Sequence, residues 1–159
     1  MMLGSTEMTT SISSLPGYLL LAADLHTSGQ PMGADLHAAA QAGVAAVINL
    51  ALPESIPHLP GEAQIVAELG MDYHPIPVPF DAPEAAHLQR FYRVMQSCKR
   101  PVLVHCALNK RVSVFTALYR YQVMGLPWPE ACAHIAQIWR PDPIWEEFIE
   151  ESIGLAYPP

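Results

Sequence analysis

The chain has 159 residues, a hydrophobic fraction of 51% and a charged fraction of 14%, enough for one domain with a filled core. Eight Lys and Arg against 15 Asp and Glu leave a net charge of −7, so no basic stripe serves nucleic acid or an anionic membrane surface. Any anion site must work locally, against the mild repulsion of the whole molecule.

Residues 1–14 are rich in Ser, Thr and Met and read as a disordered tail, leaving 15–159 as a single domain. The apolar run at 19–23 is too short to span a membrane and no Lys or Arg precedes it, unlike a signal peptide. Cys98, Cys106 and Cys132 make no disulfide framework. A cytoplasmic, reducing location is the expectation.

In chain order, residues 18–22 form a short strand and Thr27-Ser28-Gly29-Gln30-Pro31 is turn chemistry. A helix over 34–41 stops at Gly43. The continuous apolar run 44–50 marks a buried parallel strand. After a Pro-rich loop, a helix covers 62–69. An extended piece at 73–78 carries two prolines, which push it to a sheet edge. Pro83 opens a helix with Leu88, Phe91, Tyr92 and Met95 on one face. Strand 101–105 leads through a loop into a helix with Val114, Phe115, Leu118 and Tyr121 on one face. Pro129 and Pro143 start two more helices. This alternation predicts an α/β fold: a mostly parallel sheet of four or five strands with helices on both faces. Ligands of such sheets bind at the carboxyl ends of strands.

The chemistry concentrates in residues 101–113. An apolar strand ends in His105-Cys106, and a loop of Ala107, Leu108, Asn109 and Lys110 leads to Arg111 at a helix start. The N–H groups of a helix N-terminus point outward, so this junction can cradle a small oxyanion and stabilise a thiolate. Cys106 is the nucleophile candidate, and Arg111 would clamp the oxyanion with its planar fork. A cation there opposes the helix dipole, a conflict that a bound anion relieves. Asn109 suits the positive-φ position that a tight cradle needs. His105 reads as orienting the loop by hydrogen bonds rather than as an acid or base.

Three residues have alternative readings. Ser113 either donates to the thiolate or is an ordinary first-turn serine. Asp81 is either a general acid for the leaving oxygen or, as Asp81-x-x-Glu84, part of a capping box. Asp142 is a second general-acid candidate, although the helix N-cap reading is preferred there. The seven histidines have no metal-ligand spacing, so no metal site is expected.

The Thr27-Ser28-Gly29-Gln30-Pro31 turn, the 47–50 strand, Ile76-Pro77-Val78 and His105-Cys106-x4-Arg111 together resemble the bacterial tyrosine-phosphatase-like family. These are also called beta-lactamase-hydrolase-like phosphatases, within the dual-specificity phosphatase superfamily. The resemblance covers roughly residues 17–125. It implies phosphoester hydrolysis through a phosphocysteine. Cys106 would attack phosphorus. Arg111 and a phosphate-binding loop of His105, Ala107, Leu108, Asn109, Lys110, Val112 and Ser113 would hold the oxygens. Asp81 would protonate the leaving group. It implies no cofactor, and phosphorylated protein or small-molecule substrates, with phosphate or sulfate in the loop.

Three features depart from the pattern. Most tyrosine phosphatases have five residues between Cys and Arg, where this chain has four; Asn109 replaces the loop glycine; and Val112 stands where Ser or Thr usually follows the Arg. The short spacing also resembles rhodanese-type sulfurtransferases. Two alternatives follow: sulfur transfer, and a pseudophosphatase that binds phosphorylated partners without turnover.

Overall fold

In the computed structural model, which describes residues 10–158, Val102–His105 (β5) is the central strand of the sheet. It runs parallel to Leu25–Ser28 (β2) on one side and to Ala46–Asn49 (β3) on the other. Asp72–Pro75 (β4) adds a parallel edge beyond β3, and Leu19–Ala22 (β1) adds an antiparallel edge beyond β2. The resulting five-stranded order is β1-β2-β5-β3-β4. The prolines around β4 sit at this edge, where a missing N–H breaks no ladder.

Helices cover both faces because the buried strands are apolar on both. Ile48, Val102 and Val104 face the larger core cluster. There they meet Leu88 and Phe91 of Ala85–Ser97 (α3), Phe115 and Leu118 of Lys110–Gln122 (α4), and Trp145 of Pro143–Ile153 (α6). Val47 and Leu103 face a smaller cluster with Leu36 and Ala39 of Gly33–Gln41 (α1) and Val66 of Glu62–Glu68 (α2). This two-residue alternation decides the chemistry at the end of β5. His105 falls on the side of Leu103, where α2 packs, and Cys106 joins the opposite cluster with α4.

The structure corrects four expectations. Thr27 and Ser28 belong to β2, paired with Val104 and His105, so the turn starts only at Gly29. Helix α3 starts at Ala85 rather than Pro83, because residues 79–82 form a turn and the Glu84 N–H donates to His87 Nδ1 at 3.0 Å. Residues 128–137 form a short helix, Trp128–Ala131 (α5), followed by a 3-10 segment, Ala133–Gln137. Of the expected disordered tail, residues 1–9 lie outside the described residues, but Ile12–Ser14 forms a 3-10 turn with Ile12 packed on the smaller core. Buried Leu15 anchors that turn, so ordered chain begins earlier than the composition implied. Among the described residues, no helix is long and apolar enough to cross a membrane.

Candidate functional site

The loop from Cys106 to Asn109 joins the central strand to α4. Asn109 turns it, with φ of 66°, the one positive value for a non-glycine among the described residues. Its Nδ2 donates to Gly17 O at 2.7 Å and to Thr27 Oγ1 at 3.2 Å, which ties the loop down from outside. From the other side, the Gln30 N–H donates to Ala107 O at 2.9 Å. Gly29 makes this approach possible, since a Cβ there would lie 2.7 Å from Ala107 O. The N–H groups of Ala107, Leu108 and Asn109 find no protein partner among the described residues.

Cys106 and Arg111 line one cavity of about 240 Å³, with Ala107, Leu108 and Lys110 from the same loop and Leu52, Ser55, Ile56 and Phe80 opposite. Arg111 is only 5% exposed. Its Nη1 donates to Val78 O at 2.9 Å, and its Nε is buried without a partner among the described residues. A buried, unpaired guanidinium N–H is costly unless something accepts from it. No acidic residue stands in the first turn of α4, so the dipole and two cations are uncompensated by the protein there.

Aromatic rings brace the mouth. Lys110 Nζ lies 5.4 Å from the centroid of Trp139 and 6.0 Å from that of Phe80. The Arg111 guanidinium is 5.8 Å from Phe80. Trp145 Nε1 donates to Phe80 O at 2.8 Å, which fixes the loop after β4 against α6.

His105 is fully buried. Its Nε2 lies 2.5 Å from Glu62 Oε2, at the start of α2, and its Nδ1 is 3.2 Å from Cys106 O. Glu62 Oε1 in turn accepts from Gln30 Nε2 at 2.8 Å.

The remaining sequence candidates separate. Asp81 is exposed on the 79–82 turn, next to cavity-lining Phe80 but not itself lining the cavity. Its capping-box alternative fails, because α3 starts four residues later with Glu84 as its N-cap. Ser113 Oγ donates to Lys110 O at 2.6 Å and accepts from Trp139 Nε1 at 3.0 Å, so the hydroxyl turns into the helix rather than toward Cys106. Val112 packs into the larger core instead of lining the loop. Asp142 caps α6 through Trp145 N at 3.0 Å. Burial raises the Cys98 and Cys132 thiols above their ordinary range.

Sequence reasoning missed Glu62, Phe80, Trp139 and Trp145 as site residues. The Gly29-Gln30 pair was singled out within its turn. That Glu62 would meet it carries no local signal, because the contact spans 32 residues.

No family model and no curated protein matches the chain. Solved structures do. A candidate phosphatase (DUF442) from Shewanella putrefaciens CN-32 is 29% identical with a TM-score of 0.79, over 90% of this chain and 95% of that one. A candidate phosphatase from Neisseria meningitidis Z2491 is 23% identical with a TM-score of 0.67, over 86% and 96%. P. aeruginosa TpbA, in complex with pTyr, is 19% identical with a TM-score of 0.63, over 80% and 75%. The chain therefore has a cysteine-phosphatase-like fold and is similar to a candidate bacterial phosphatase over 90% of its length.

Proposed function

We propose that the protein hydrolyses a phosphomonoester through a phosphocysteine on Cys106. The observation that carries this reading is the meeting of Cys106 and Arg111 in one cavity at the start of α4, with Arg111 Nε buried and unpartnered among the described residues. Cys106 enters as the thiolate, its proton lost to solvent. Arg111, held through Nη1 on Val78 O, offers Nε and its remaining N–H groups to two phosphoryl oxygens, and the loop amides take the others. The thiolate forms an S–P bond as the P–O ester bond breaks. Asp81, beside Phe80, donates its proton to the leaving oxygen. Water then attacks phosphorus, its proton passes to Asp81, the S–P bond breaks and phosphate leaves with the thiolate restored. The chemistry needs no cofactor.

The cavity also speaks to the substrate. Its mouth is apolar, with Ile56 87% and Leu108 57% exposed, and its lining cations are Lys110 and Arg111 alone. This suits a single phosphate on an aromatic or apolar group better than a polyphosphate. The pTyr complex of TpbA is consistent with that class. We place the activity in the cytoplasm, on phosphorylated protein or small-molecule substrates. The sulfur-transfer and pseudophosphatase alternatives gain no support from the relatives. The test is phosphate release from p-nitrophenyl phosphate. Wild type releases it, Cys106→Ser does not, and Arg111→Lys loses ~1–3 kcal/mol of transition-state stabilisation because the fork is gone. Turnover that survives Cys106→Ser overturns the reading.

A further inference from the structure

We propose that Glu62 is a positioning residue for the Cys106 loop, acting through His105. The inference rests on the phosphatase reading and adds a residue from α2, on the opposite side of the sheet from Cys106.

Glu62 is 6% exposed and His105 is not exposed at all. An ionised carboxylate only accepts, so with Glu62 in that form the 2.5 Å contact places a hydrogen on His105 Nε2. Nδ1 faces another acceptor, Cys106 O at 3.2 Å, and carries a hydrogen as well. The ring is thus bonded on both edges, to the Glu62 carboxyl and to Cys106 O. Stability does not account for such a pair, because apolar side chains of similar volume usually do as well in a core.

Its geometric effect is on the cradle. The Cys106 carbonyl and the Ala107 N–H share one planar trans peptide and point in opposite directions. With Cys106 O directed at the His105 ring, the Ala107 N–H is directed away from that ring, free to serve an anion. It finds no protein partner among the described residues. Gln30 completes the frame. Its Nε2 donates to Glu62 Oε1 at 2.8 Å and its backbone N–H to Ala107 O at 2.9 Å. One carboxylate thus fixes the peptides on both sides of the Ala107 Cα. The arrangement prepares the loop for the charge that develops on the phosphoryl oxygens.

The first test reads the wild-type protein by NMR with nitrogen-15-labelled histidine. Both ring nitrogens of His105 should carry hydrogens, and Nε2–H should give a strongly hydrogen-bonded signal. A His105 with bare Nε2 overturns the proposal. The second test is Glu62→Gln, which keeps the shape and loses the charge. Turnover of p-nitrophenyl phosphate should fall about tenfold in kcat with KM changed less than about twofold, and inorganic phosphate should shift the Ala107 amide resonance less than in wild type. Glu62→Asp should recover part of the kcat. Unchanged kcat and an unchanged Ala107 response in a folded Glu62→Gln overturn the proposal while leaving the phosphatase reading intact. If wild type releases no phosphate, the phosphatase reading falls, and the histidine spectrum still decides the role of Glu62. The same spectrum decides if Glu62→Gln does not fold.

Discussion

Arg111 Nη1 donates to the backbone carbonyl of Val78 at 2.9 Å. That bond joins the first turn of α4 to the segment leading into the 79–82 turn, so the oxyanion clamp and the loop carrying Asp81 are held in one frame. Asp81→Asn should therefore leave binding nearly intact and slow proton donation. For an alkyl phosphate, whose leaving group needs the proton, kcat should fall about 10²–10⁴-fold, and for p-nitrophenyl phosphate far less. Equal losses on both substrates would remove Asp81 from the chemistry.

Gly29 sets the clearance under the loop. A methyl group there would meet Ala107 O at 2.7 Å, backbone against backbone, so one of them must move. Gly29→Ala should cost about 1–3 kcal/mol in chemical denaturation. It should also lower kcat with p-nitrophenyl phosphate by more than tenfold, about the cost of misplacing a cradle donor. Wild-type kcat in this variant would mean that the Gln30–Ala107 contact does not tension the cradle.

Alkylation separates the three thiols. Burial raises Cys98 and Cys132, so neither should react appreciably with iodoacetamide near neutrality. Cys106, at the helix N-terminus beside Arg111, should be the thiol modified there, and phosphate should protect it. Peptide mass spectrometry across a pH series makes the measurement. Labelling of Cys98 or Cys132 ahead of Cys106 would contradict the cradle.

Much of this site was legible because it is local. Strand, His105-Cys106, a short loop and a helix start follow one another, and the apolar pattern of 101–105 gives the strand its place in a parallel sheet. Asn109 was legible because few residues other than glycine tolerate positive φ. Glu62 was not, since its partner His105 is 43 residues away and only the packing of α2 on the sheet joins them. Trp139 and Trp145 were not legible as site residues, since their bonds to Ser113 and Phe80 arise from tertiary folding. Ser113 stayed ambiguous because a first-turn serine has a local acceptor and a tertiary one within reach, and here Lys110 O takes the hydrogen. Thr27 and Ser28 were misread because turn-forming residue types masked their pairing with β5.

His134 gives the fold a pH limit. Burial, the larger cause, and nearby Arg120 lower it from 6.5 to about 4 against the bond from its ring to Ser113 O. The unfolded chain takes up this proton as pH falls through 6.5, and the native state does so only near 4. Stability is thus full above about pH 6.5 and lost progressively down to about 4, by up to about 3 kcal/mol. His26, also lowered by burial, acts in the same direction. Urea denaturation at pH 7 and pH 5 should show the loss, and His134→Asn should flatten the slope. An equal slope in the variant would assign the loss elsewhere.

The central claim is that Cys106 carries the phosphoryl group. Acid-quenching the enzyme during turnover of an aryl phosphate, then sequencing the peptide around residues 102–111 by mass spectrometry, tests it most directly. The account predicts a phosphoryl group on Cys106 in wild type and none in Cys106→Ser. Steady phosphate release with an unmodified Cys106, or a persulfide formed there from thiosulfate with no phosphate release from the aryl ester, would contradict it.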